Sequence, residues 1–292
     1  MTRYFVLSLL SLLFLPFFWS PATAGEPESC LLRYQLSKDE KIRYQVEHLA
    51  KTKTKMRGAE DLSNVRTVST KVWRVLDVSQ DGHFTFDHYV ESVAMSQQHG
   101  DAEPLEWDST SGEDPPAIYR SVADQLGKPI AEVRINDRGQ EKERKADVGT
   151  KTDLGMGGLT IPLPEDETKI GGSWSVPRQI RARTEESEIK KINVRELYTL
   201  EKISAGVATI SVRSQPLTPI SDAKIKSQVV QQLSDGTIKF DIDAGRMISK
   251  QLNWDETVIG FQGANSMMEY RARLTEKLVD APAVAQRPKQ TR

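Results

Sequence analysis

Apolar and polar residues alternate with a period of two over most of the chain, the pattern of strands that bury one face. Leu32, Tyr34 and Leu36 alternate, residues 37–41 read as a polar turn, and Ile42, Tyr44, Val46 and His48 alternate again. That spacing predicts two strands joined by a hairpin. Val68, Val72, Leu76 and Val78 share one parity, with Trp73 and Val75 on the other, and the Gln80-Asp81-Gly82 turn leads into a run from Phe84 to Ala94. In the second half the pattern resumes at Val176, Ile180 and Ala182, then at Ile192, Val194, Tyr198 and Leu200, and again at Ala208, Ile210 and Val212. Near the end, Met268, Tyr270, Ala272, Leu274 and Leu278 face Glu269, Arg271, Arg273, Thr275 and Lys277 across one strand. Several runs reach about fifteen residues, well beyond the usual five or six. Long antiparallel strands twist and coil. The expected fold is therefore mainly β with a few short helices: a long curved antiparallel sheet or half-open barrel with helices on one face.

Twice the period lengthens to four. Ile118, Val122 and Leu126 precede Ile130, Val133 and Ile135 and end at Gly139; Ile225, Val229 and Leu233 precede Ile238, Phe240 and Ile242 and end at Gly245. The two segments align with a single gap, and upstream of each a further glycine, Gly82 or Gly206, follows an aromatic residue, Trp73 or Tyr198. This spacing predicts an internally duplicated unit of strands, a short helix and a hairpin. The expected divisions are a first β-rich repeat over residues 25–146, a Gly/Pro-rich connector over 147–172 and a second repeat over 173–279. The connector carries Leu154, Met156, Leu159, Ile161 and Leu163, too apolar to float in water, and is expected to pack across the sheet. The first copy alone holds an insertion around residues 99–116 with Asp101, Glu103, Glu106, Asp108, Glu113 and Asp114.

Both ends read differently. Arg3, an apolar run from Phe5 to Trp19 and the small residues Ala22-Thr23-Ala24 make residues 1–24 a secretory signal peptide with a cut after Ala24. No later stretch has the roughly 20 apolar residues of a membrane-spanning helix. Residues 280–292 are Pro, Ala, Gln and basic residues, read as a disordered tail. Forty basic and 41 acidic residues nearly balance, so the broad positive field of a nucleic-acid binder is absent. Cys30 is the only cysteine, which excludes an intramolecular disulfide.

Trp107-Asp108-Ser109, Leu126-Gly127-Lys128-Pro129, Asn136-Asp137-Arg138-Gly139, and Leu163-Pro164 followed by Gly171-Gly172-Ser173-Trp174 occur in this order. In that order the chain resembles a family of secreted bacterial β-rich proteins with no assigned activity. The resemblance spans about residues 31–279 and rests on the order of short motifs. It departs at residues 37–40, where the family carries a glycine before its Glu-Lys pair. The resemblance implies secretion and a β-rich fold, and no activity.

Candidate chemistry is sparse. Trp107, Asp108 and Ser109 are the ligand-binding candidates: they set a hydroxyl beside a carboxylate, although Asp-Ser is also turn chemistry. His48, His83, His88 and His99 are the only histidines, and none lies at metal-ligand spacing; Asp87 shares parity with His83. Gly155-Met156-Gly157-Gly158 lacks the flanking strand, helix and lysine of a phosphate loop. Lys51, Lys53, Lys55 and Arg57 form a basic stripe matched by Arg178, Arg181 and Arg183, read as protection of sheet edges or as a surface for an anionic partner. No catalytic residue, cofactor or metal is assigned. The expectation is a noncatalytic secreted or cell-envelope binding or carrier protein for an apolar or amphipathic ligand, with lipid or an envelope protein as partner. The alternatives are a structural or protein-interaction component of the envelope, and a hydrolase-like enzyme.

Overall fold

The computed structural model describes residues 28–146 and 159–279. The signal segment, the tail and residues 147–158 of the connector lie outside the described residues. In chain order the elements are β1 (Ser29–Cys30), β2 (Lys41–Met56), β3 (Ala59–Val78), β4 (Phe84–His99), β5 (Leu105–Asp108), α1 (Arg120–Ala123), β6 (Ala131–Ile135) and β7 (Glu141–Ala146). They continue with β8 (Thr168–Lys169), β9 (Ser173–Arg183), β10 (Ile189–Ser204), β11 (Val207–Pro216), α2 (Ala223–Val229), β12 (Asp235–Asp241), β13 (Arg246–Ile259) and β14 (Met267–Val279). A 3-10 turn, Ala117–Tyr119, leads into α1, and another, Val230–Gln232, follows α2.

The fold is mainly β. One antiparallel sheet runs β7-β6-β4-β3-β2-β14-β13-β12-β11-β10-β9, with β5 added beside β4, and a separate two-stranded pair joins β1 to β8. β7 and β9 are its two edges, so the sheet does not close into a barrel. The seam is β14, paired to β13 on one side and to β2 on the other. The first half lays down β2, β3 and β4, then α1, then β6 and β7; the second lays down β9, β10 and β11, then α2, then β12, β13 and β14, in the same direction along the sheet.

Alternation sets the faces. On β2, Ile42, Tyr44 and Val46 are buried and Lys41, Gln45 and Lys51 are exposed; on β14, Met268, Tyr270, Ala272 and Leu274 are buried. One core cluster contains Tyr44, Trp73 and Phe86 from the first half and Leu200, Ile210 and Phe240 from the second. Burying side chains of this size, at about 1.5–3 kcal/mol each, is the main force that holds the inner face together. Trp73 stacks on Phe86 at 4.7 Å, and Trp174 stacks on Tyr198 at 5.6 Å.

The Leu32, Tyr34, Leu36 alternation is not a sheet strand, contrary to the hairpin expected from its spacing. The segment is extended and buried, but its backbone bonds to turns rather than to β2. Tyr34 N–H donates to the Asp137 carbonyl (2.6 Å) and Gln35 N–H to the Gly245 carbonyl (2.9 Å). Asp137 lies in the β6–β7 turn and Gly245 in the β12–β13 turn. On a flat sheet β6 and β13 would lie five strand spacings apart, roughly 24 Å. Adjacent residues reach both turns, so the sheet coils around this segment. The close approach requires glycine: Gly139 and Gly245 have φ of +70° and +59°, and a Cβ would lie 2.5 Å from the Tyr34 ring at the first and 2.6 Å from the Gln35 nitrogen at the second.

The described end of the connector also packs inside. Ile161 and Leu163 are buried in the main core, and Ile161 N–H donates to the Tyr34 hydroxyl (3.0 Å). The helices cover the rest of the inner face. The α2 residues Ile225 and Val229 pack on Ile180, Ala182, Ile192 and Val194, while Tyr119 and Val122 around α1 pack on Val90 and Val93. Ile118, expected to share the apolar stripe of α1, is instead 55% exposed. It falls in a tight 3-10 turn, where three residues per turn rotate it away from the sheet.

Candidate functional site

Trp107 and Asp108 end β5, and Ser109 opens the turn that follows it. Trp107 is buried against Tyr119, its indole N–H donating to the Glu113 carbonyl (3.2 Å). The exposed Asp108 carboxylate accepts from the Thr110 N–H and hydroxyl (2.8 and 2.7 Å), which hold it below the usual carboxylate range. Ser109 Oγ accepts from Val93 N–H at 2.9 Å. The hydroxyl thus closes a backbone ladder. The histidines lie elsewhere: His83 Nδ1 sits 3.0 Å from Asp81, and His99 pairs with Gln97. Asp87, which shares parity with His83, pairs with Arg74 instead. His48 stands edge-on to Trp254, with ring centroids 6.3 Å apart. Among the described residues no cluster of three His, Cys, Asp or Glu side chains forms a metal cradle.

A buried ionic cluster sits where the two halves join, and the sequence reading passed over it. Glu276 of β14 is fully buried between Lys71 of β3, with which it pairs closely, and Lys250 of β13, 2.8 Å away. Lys71 Nζ also lies 5.3 Å from the centre of the Tyr44 ring and 5.7 Å from that of Trp73. Burial pushes the Lys71 ammonium down to about 8, against the pull of Glu276. The neighbouring His88 is driven down to about 3 by burial and by Lys71, so its imidazole is neutral. The signal was present in sequence. Glu276 falls on the buried parity between Leu274 and Leu278, and Lys71 falls between Ser69 and Trp73.

Trp107 and Asp108 border a small pocket of about 320 Å³ with Arg66, Ser96 and Glu113, and two concavities about twice that size are also open. The first is a cleft of about 640 Å³ at the ends of β11 and β12, where the chain leaves the sheet and turns into α2. Its apolar lining includes Pro216, Leu217, Pro219, Ile220, Val230 and Leu233, and its charged lining is Arg213, Lys226, Asp235 and Glu256. The helix edge is fixed by Asp222, whose carboxylate accepts from Lys224 N–H (2.8 Å) and Ile225 N–H (3.1 Å) as an N-cap.

The second is a trough of about 700 Å³ on the outer face, crossing β4, β3, β2, β14 and β13. The register gives it two walls: Ser96, Arg66, Leu49, Arg273 and Asn253 in one row, and Gln98, Asn64, Lys51, Arg271 and Asp255 in the next. Ala50, Val65, Ala272 and Trp254, whose side chains point to the other face, form the floor with their backbone.

The basic stripe is placed differently from its edge-protecting reading. β2 lies in mid-sheet between β3 and β14, so Lys51, Lys53 and Lys55 guard no edge. On β9, a true edge strand, Arg181 and Arg183 are exposed and suit that role, while Arg178 turns to Glu196 at 3.2 Å.

No protein-family model matches the chain, and no curated protein matches it in sequence. Among solved structures it is similar to one described as lipid-protein interactions in lipovitellin, at 13% identity and a TM-score of 0.46. The match covers 87% of this chain and 27% of that one, so the chain spans about a quarter of that protein's length.

Proposed function

We propose that this is a noncatalytic binding protein, exported to the cell envelope or beyond, that holds an amphipathic ligand in the cleft beside α2. The observation that carries this reading is the cleft itself: an apolar lining from Pro216 to Leu233 with Arg213 and Lys226 among its charged groups. Its volume is in the range of small-molecule sites, with an apolar body and few polar groups to orient a head. The separation of Ser109, Asp108 and the histidines supports a binding role over a hydrolytic one, because nucleophile, base and orienting group have to meet.

The test is a titration of the purified chain with a series of saturated fatty acids, read by displacement of an anilinonaphthalene dye. Each added methylene buried in the cleft is worth about 0.8 kcal/mol, so affinity should rise roughly fourfold per carbon until the cleft is full. Leu217→Asp, at a position 56% exposed and so tolerant of change, should weaken binding at least tenfold. Absence of binding, or affinity independent of chain length, would sink the proposal. A structural role in the envelope is favoured by one further observation: the coiled inner face is filled by the chain's own Leu32, Tyr34, Leu36 and Ile161. That reading gains if no amphiphile binds.

A further inference from the structure

The outer trough is separate from the α2 cleft and has its own chemistry. Arg66 and Arg273 stand in one wall, Lys51 and Arg271 in the other, and Asp255 is the only acidic residue of the lining. Two of the cations are already matched, Arg66 by Glu47 and Arg271 by Asp255, each at 3.0 Å. Lys51 and Arg273 face each other diagonally across the trough, and among the described residues neither has an ion-pair partner. A concavity with surplus positive charge and two unmatched cations attracts an anion.

Shape narrows the class. Successive outward residues on a strand are about 7 Å apart, so the walls admit one chain, and the trough is about 19 Å long across four strand spacings. A flat bilayer cannot reach a floor set below both walls. A single-stranded nucleic acid relies on aromatic platforms for its bases, and the floor offers none, because Trp254 turns to His48 on the other face. An acidic peptide cannot add as a strand, because all five strands already have partners on both sides. What the walls do offer beside the cations is Asn64, Gln98, Asn253 and Ser96, amides and a hydroxyl suited to sugar hydroxyl groups, with Leu49 as a small apolar contact.

We infer that this trough binds an extended acidic polysaccharide, its carboxylates held by Lys51, Arg66, Arg271 and Arg273 and its hydroxyls by the flanking amides. The experiment is calorimetric titration of the full chain with polygalacturonate, with uncharged dextran as the comparison. Binding of polygalacturonate that weakens steadily from 50 to about 300 mM salt is expected, since charge contacts are screened over this range. K51E/R273E should lose at least tenfold in affinity while keeping its circular dichroism and its fatty-acid binding. K190E/K202E, which changes the net charge equally at exposed sites on β10, should bind nearly as the parent does. The inference is overturned by no binding of polygalacturonate, by an equal loss in both double variants, by dextran binding as well, or by binding only to phosphatidylglycerol vesicles. Because fatty-acid binding is read in the same proteins, failure here is distinct from failure of the α2 cleft.

Discussion

Lys71, Glu276 and Lys250 place two cations around one carboxylate in the driest part of the sheet, so the members of the cluster do not have equal effects. Removing Glu276 takes away the carboxylate that both buried ammonium groups share, whereas removing Lys71 leaves Glu276 paired with Lys250. Glu276→Gln should therefore cost about 3–5 kcal/mol in urea unfolding, and Lys71→Met should be close to neutral. Lys71 also sets a pH dependence. Its folded value lies near 8 against 10.5 unfolded, so between the two the unfolded chain holds more protons and stability rises with pH. Above about pH 10 the trend reverses. Burial raises the hydroxyls of Tyr34, Tyr44 and Tyr198, so their ionisation favours the unfolded chain. The expected curve of urea midpoint against pH climbs from about 8 to about 10 and then falls. In Lys71→Met the climb should vanish and the fall remain, and a climb that persisted would assign the titration to another group.

Among the elements, the buried segment ending at Leu36 joins the two halves without belonging to either. It reaches both hairpin turns through adjacent residues, at the two glycines that close the repeated spacing. Gly245→Ala should cost about 1–2 kcal/mol from the left-handed backbone alone, and more once Gln35 is displaced. Tyr34→Phe should cost about 1–3 kcal/mol by leaving the Ile161 N–H buried without an acceptor. Hydrogen exchange should then speed up at Ile161 and in both turns together, because one segment holds all three. Strand positions were legible from alternation, and so was the inner parity of β2 and β14; on β3 it was not, because the apolar set Val68, Val72, Leu76 and Val78 falls on the outer parity while Thr67, Ser69 and Lys71 share the inner one with Trp73 and Val75. The fate of residues 32–36 was not: an extended buried segment and a strand share a period of two, and only long-range bonding separates them. Lys51 shows the same gap for the site. Its exposure on β2 was legible, but its place in a trough depends on Arg66 and Arg271, brought beside it by strand order, which alternation does not encode.

At the scale of the whole molecule, a coiled sheet that stays open has two edges to protect. β7 reads Glu-Lys-Glu-Arg-Lys-Ala, with charge at five of its six positions. β9 carries Pro177, which has no N–H to offer, with Arg181 and Arg183 exposed beyond it. Both devices discourage a second copy from adding to the sheet. The β9 edge is the more vulnerable, because its register with β10 runs unbroken from Ser173 to Arg183, although Gln228 of α2 closes its Arg183 end, accepting from the Arg183 N–H (2.9 Å) and donating to its carbonyl (2.8 Å). Replacing Pro177 by Val and both Arg181 and Arg183 by Thr restores a donor, raises strand propensity and removes the repulsion in one variant. It should stay folded by circular dichroism yet elute as larger species whose size grows with concentration in light-scattering chromatography. The single variant Pro177→Val, which keeps Arg181 and Arg183, should retain most of the parent's behaviour, because charge repulsion between identical edges acts before backbone pairing begins. If the triple variant elutes as the parent does at every concentration, protection of this edge resides in the coil of the sheet rather than in these three residues.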